Sequence, residues 1–148
     1  MKLIVVAEDA VTDKERNNVS IFNVRDSILT PGFPLIFPRL VVVAFTERDL
    51  ESDPDDVDLR LRISVAGGKK LGEVTTGISY QDKKRNRLIV RVDGLVVNEP
   101  GLVHFAIYHG RSRLGRYSID VAHLDKPQLK AESGAAKKKG RKKAKKTR

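Results

Sequence analysis

The sequence predicts an all-β protein, an antiparallel β-sandwich of about eight strands that ends in a disordered basic C-terminal tail. Three observations carry this. Period-two alternation of apolar and polar residues runs through the first 120 or so positions, Gly- and Pro-bearing turn signals separate the alternating runs, and no long stretch repeats with the 3.6-residue period of an amphipathic helix. Short strands at regular spacing with no helix to cover them must bury their faces against one another, as in a sandwich.

The elements follow in order. KLIVVA (residues 2–7), NVSIFNV (18–24) and PRLVVVAFTE (38–47) are rich in consecutive Val and Ile, as central strands covered on both faces would be. Between the first two, AEDAVTDKERN (7–17) is read as one or two helical turns at most, because Val11 is its only apolar residue besides alanine. TPGFPLIFP (30–38) carries Pro31, Pro34 and Pro38, which points to an ordered loop or an edge.

VDLRLRISV places Val57, Leu59, Leu61, Ile63 and Val65 on one face, and Asp58, Arg60, Arg62 and Ser64 on the other. Gly67–Gly68 can take the positive φ of a primed hairpin turn, so KLGEVTTGISY (70–80) is expected to return antiparallel. RLIVRV buries Leu88, Val90 and Val92, LVHFAIY buries Val103, Phe105 and Ile107, and RYSIDVA buries Tyr117, Ile119 and Val121. The last two flank a second hairpin turn at His109–Gly110–Arg111–Ser112. The domain is placed at residues 1–125 and the linker with its tail at 126–148.

The succession LIVVAEDA, NVSIFNVRDSILTPGFP and VDGLVVNEPGLVHFAIYHG resembles a family of small uncharacterised bacterial proteins, catalogued as a domain of unknown function. The likeness covers roughly residues 1–122 and is one of pattern. It implies a compact β-sandwich and carries over no catalytic residue or activity.

Composition closes off several chemistries. With no cysteine, thiolate nucleophiles, Cys-based zinc sites and disulfides are excluded. MKLIVVAEDA has only five apolar residues before Glu8, short of a secretory core of about 7 to 15, so it is expected to be a strand of a soluble, cytoplasmic protein. No P-loop, dinucleotide fingerprint, nucleophile elbow or H-E-x-x-H motif is present, and no enzymatic role, cofactor or metal is expected.

Three constellations remain in the body. His104 and His109 are five apart on one strand, which sends them to opposite faces, and His123 follows the last strand, so they are read as surface or turn histidines. Glu47, Asp49, Glu51, Asp53, Asp55, Asp56 and Asp58 crowd one loop, but Pro54 interrupts it and no Gly permits the turn that converging calcium ligands need. The expectation is a solvated, mobile loop. Lys83, Lys84, Arg85 and Arg87 cluster in QDKKRNR, Arg60, Arg62 and Arg91 lie on wet strand faces, and Arg111, Arg113 and Arg116 surround the last hairpin. Whether these form one patch depends on strand order, and scattered solubilising charge is the simpler reading. Tyr80 and Tyr108 are too few for a base-stacking platform.

The tail is the pointed feature. Lys137, Lys138, Lys139, Arg141, Lys142, Lys143, Lys145, Lys146 and Arg148 stand within the last twelve residues without an acid among them. Twenty bases and nineteen acids remain in residues 1–136, so a net charge of +10 is almost wholly the tail's. Such a segment has no apolar surface to bury against its ordering entropy. In composition it resembles the Lys/Ala-rich tails of linker histones and some bacterial nucleoid proteins.

These nine residues are the expected nucleic-acid contacts, engaging DNA or RNA without regard to sequence, since backbone phosphate is the densest anion at hand. An anionic membrane surface is the weaker rival, because no amphipathic face or lipidation signal accompanies the charge. A solubilising tail, one docked on the acidic loop, or a localisation signal in a eukaryotic host complete the alternatives. The expected function is a non-enzymatic sandwich module tethered to nucleic acid, with an unknown partner for the body. The alternative is a structural or interaction module, of the kind associated with phages or virions, bearing an incidental tail.

Overall fold

The computed structural model describes residues 1–124, so the nine tail cations lie outside the described residues. Nine strands follow one another: β1 (Leu3–Asp13), β2 (Asn18–Val24), β3 (Ser27–Thr30), β4 (Leu35–Glu47), β5 (Asp56–Val65), β6 (Lys70–Ser79), β7 (Arg85–Val97), β8 (Gly101–His109) and β9 (Ser112–His123). They form a four-stranded sheet, β2-β1-β4-β7, and a five-stranded sheet, β3-β9-β8-β5-β6. Every pairing is antiparallel except β3 with β9. The sandwich expectation holds, with one strand more than the alternation revealed: β3 has only four residues, too short to show a period.

The main core lies between the sheets. Val6, Leu40, Val42 and Ala44 from one sheet meet Leu61, Ile63, Phe105, Ile107 and Ile119 from the other, all of them essentially inaccessible. The expected inward set of β5 is correct at Leu59, Leu61 and Ile63, while Val57 and Val65 at its ends are half-buried.

Two expectations for the first forty residues need correction. The segment 7–17 is not helical: β1 runs through Asp13, and a turn with Asn17 at φ 54° carries the chain into β2. β2 itself is an edge strand rather than a central one. The physical reason is that β1 serves two partners with its two halves. Leu3–Ala7 pairs with β4, and Ala7–Asp13 pairs with β2. Beyond Ala7 the β1–β2 hairpin therefore leaves the sheet plane and lies over the outer face of β4 and β7. There Ala10 packs with Val41 and Val43 in a second apolar cluster, joined by Val5, Ile21, Phe45 and Ile89. Arg87 Nη1 and Nη2 fasten the hairpin tip by donating to the backbone carbonyl and side-chain oxygen of Asn17, at 2.6 and 2.7 Å. Double cover explains why Val41–Ala44 are all buried in succession.

The proline-rich segment proves part loop and part strand. Residues 31–34 form a bend, and Pro38 lies within β4, in a stretch that β1 does not pair. A strand with one open edge can spare an N–H there. Opposite it, Gly94 of β7 takes φ +69°, and the inward alternation of both strands slips by one residue. Leu40 and Val42 face the core beside Val92 and Val90, whereas Phe37 does so beside Leu95.

Candidate functional site

The outer face of the four-stranded sheet is roofed by the hairpin. Among the described residues no element lies on that of the five-stranded sheet, and strand order decides what it displays. In register, Arg60 of β5, Tyr108 of β8 and Arg113 of β9 form one row, Arg62, Ala106 and Arg116 the next, and Ser64, His104 and Ser118 a third. All belong to the outward set, alternating with the buried Leu61, Ile63, Phe105, Ile107 and Ile119. Four arginines distant in sequence thus become two columns flanking β8. Residues i and i+2 on a strand are about 7 Å apart, and columns two strands apart lie about 10 Å from each other.

The field of this patch is uncompensated at its centre. Asp58 and Asp120 lie towards the ends of the face, and Glu73 stands across from Arg62 on β6. Glu73 pairs instead with Lys70, at 4.0 Å. Among the described residues, no carboxylate forms a salt bridge with Arg60, Arg62, Arg113 or Arg116. Arg60 is partly engaged: Nη2 donates to the Gly110 carbonyl at 3.2 Å, and its guanidinium sits 5.4 Å from the Tyr108 ring centroid. The Nε atoms of both Arg60 and Arg62 are buried and have no hydrogen-bond partner among the described residues. A buried, charged donor without an acceptor is costly, and each such group in a native fold calls for an explanation.

His104 completes the row beside Arg116. Its Nδ1 lies 2.8 Å from the Ser118 hydroxyl. Burial, and then the charge of Arg116, hold its imidazole below the ordinary value of 6.5, so it is neutral at pH 7. His109 is exposed at the sandwich end and lines a cavity of about 210 Å³ with Met1, Tyr80 and Leu114. The third histidine, His123, lies 6.5 Å from Phe33, ring to ring.

The basic loop at Lys83–Arg87 is arranged differently. Glu47 draws in Lys2, Lys84 and Arg85 at 3.8, 3.5 and 3.2 Å. Burial raises the Glu47 carboxyl, but the Arg85 hydrogen bond and the charges of Lys2, Arg85 and Lys84 outweigh it and keep it below its ordinary value. Arg87 is spent on Asn17, and Arg91, on the roofed sheet, points Nη2 towards the Ala10 carbonyl at 3.4 Å. Lys83, Arg85 and Arg87 do border an open cleft of about 400 Å³ with Asn17 and Asn86. Glu47 and Asn17 hold Lys84, Arg85 and Arg87 in place there.

The acidic loop also has an internal purpose. It wraps Arg48, only 8% exposed, whose Nη2 pairs with Asp55 at 2.8 Å. Arg48 Nε donates to the Lys83 carbonyl, Nη1 to that of Asp53, and the guanidinium lies 5.2 Å from the Tyr80 ring. Asp53 accepts from the Asp49 N–H, and Asp55 from the Asp82 N–H. The loop expected to be solvated and mobile is folded around a cation supplied by its own first turn. Among the described residues, no group of three His, Asp or Glu side chains is placed to hold a metal ion, and no helix is long and apolar enough to cross a membrane.

Sequence reasoning found Arg60 and Arg62 as wet-face residues and Arg113 and Arg116 around the last hairpin, but could not bring them together, because register across β5, β8 and β9 is not written in local alternation. The nine tail residues expected to bind nucleic acid lie outside the described residues. No curated protein matches the chain. The model of the family of unknown function DUF6941 matches residues 2–122, from the residue before β1 to the penultimate residue of β9. The chain therefore belongs to that family, and the β-sandwich with its bare arginine face is this member's form of it.

Proposed function

We propose that this protein is a non-enzymatic β-sandwich held to nucleic acid by its basic C-terminal segment, without sequence preference. The observation that carries the reading is the segregation of charge: nine cations and no acid in residues 137–148, against a body near neutrality. Such a segment gains affinity by releasing the counterions condensed on a phosphate backbone. If about six of its charges engage duplex phosphates, log K falls with log salt at a slope of about −5. A contact of interchangeable point charges reads no base edge, so it is indifferent to sequence.

The test uses a full-length variant with all nine tail cations replaced by Gln, titrated against labelled oligonucleotides at about 0.1 M salt. It should lose most of the affinity while melting at the wild-type temperature. Wild-type affinity in the variant would refute the tail as the tether and return the protein to the alternative, an interaction module with an incidental tail.

A further inference from the structure

The geometry points to a second, structured contact: the trough between the two arginine columns on the five-stranded sheet binds the sugar–phosphate backbone of a single-stranded nucleic acid. This deepens the nucleic-acid reading but uses a surface separate from the tail, so the two can fail independently.

Four features argue for it. Among the described residues, Arg60, Arg62, Arg113 and Arg116 lack carboxylate partners, whereas in the Lys83–Arg87 loop Lys84 and Arg85 share Glu47 and Arg87 is held by Asn17. Buried Nε donors on Arg60 and Arg62 have no acceptor among the described residues, and a guanidinium engages a phosphate with two parallel N–H groups. Ala106 lies between Arg62 and Arg116 and is only 6% exposed, so the arginines, and not the floor between them, are what a backbone would meet. Tyr108 heads the trough, and its ring steadies the Arg60 guanidinium there. A smooth sheet face presents neither the helix nor the protruding ribbon that enters a duplex groove. The extended backbone of one strand can instead run along the columns. Glu73, Asp58 and Asp120 border the face and confine the attraction to its centre.

His104 provides a reporter within the site. It stands beside Arg116, and its imidazole is disfavoured as a cation there. Phosphate seated against Arg116 would offset that charge and raise the His104 pKa.

The experiment takes the full-length protein, an Arg62→Glu/Arg116→Glu variant, and a Lys14→Glu/Arg16→Glu control of equal charge change on the hairpin that roofs the other sheet. Each is titrated with a single-stranded oligonucleotide, with duplex of the same length and with inorganic phosphate, while His104 is followed by NMR. The face variant should bind single strands at least tenfold more weakly than the control, with a salt slope shallower by about 1.4, two contacts' worth. Its loss on duplex should be smaller. His104 of the wild type should titrate at higher pH when the oligonucleotide is bound. Equal affinities of face variant and control, an equal loss on duplex, or a His104 shift given as fully by phosphate alone would each overturn the assignment. The Gln-substituted tail variant should retain the His104 response, which separates failure of the face from failure of the tail.

Discussion

At the residue scale, alternate positions of β5 have opposite worth. Leu61 is fully buried, whereas Arg62 exposes part of itself on the outer face. Leu61→Asp should cost about 4 kcal/mol or more, since it strands a charge in the core. Arg62→Asp should cost under about 1 kcal/mol, and urea titration of both variants checks the pair. Arg48 is the contrary case, a buried cation on which a loop is organised. Its partner Asp55 is 39% exposed, so solvent screens part of the pairing. Arg48→Ala should destabilise the fold by about 2 kcal/mol, chiefly through the carbonyls of Lys83 and Asp53 left without donors. Arg48→Lys should recover little of this, because one ammonium cannot serve three directions at once. His104 ties stability to pH. Its folded pKa lies below the unfolded value, so its neutral form favours the fold above about pH 6.5, and that contribution declines as pH falls towards the folded pKa. A His104→Gln variant should show less destabilisation over that window in pH-dependent urea melts.

At the element scale, the strands were legible where side chains alternate and illegible where they do other work. VDLRLRISV and LVHFAIY declare their faces because one side is buried and the other wet. β1 concealed its second half because Glu8, Asp9 and Asp13 sit on a hairpin arm whose inward contact rests on Ala10, and alanine is equally at home in a helix. The slip of alternation in β4 and β7 turns on Gly94, whose φ of +69° costs any L-residue with a Cβ. Gly94→Ala should lower stability by about 1 kcal/mol without a change of fold, a result that thermal melts and far-UV circular dichroism can establish together. Hydrogen exchange should rank the elements: amides of Val41–Ala44, under double cover, last longest, and those of the edge strand β2 exchange soonest.

Across the whole molecule, the arginine face is the lesson in what a single sequence withholds. Arg60 and Arg116 are adjacent to β8 from opposite sides, yet only the order β9-β8-β5 makes them neighbours, and that order is a property of long-range pairing. The acidic loop misled for the opposite reason. Its charge run looked idle because the cation it encloses, Arg48, sits inside the same run. Since Asp53 and Asp55 are committed to the loop, millimolar calcium should leave the melting temperature unchanged; a saturable rise would overturn that expectation. Among the described residues, nothing donates a hydrogen bond to the carboxylates of Glu51, Asp56 and Asp58. Neutralising those three should tighten nucleic-acid binding at low salt, with a gain that shrinks as screening grows.

The placement of β9 has a mechanical consequence. At Asp120 and Val121 it is hydrogen-bonded on both sides, to β8 and to β3, and the Leu124 N–H still donates to the Thr30 carbonyl at 2.8 Å. A pull transmitted through the C-terminal segment would therefore load two ladders in shear instead of peeling one from an edge. β1 begins with a single partner, since only β4 lines Leu3–Val6. The sandwich should then yield from its N-terminal side under tension, leaving the strand that leads to the tail as the last to part.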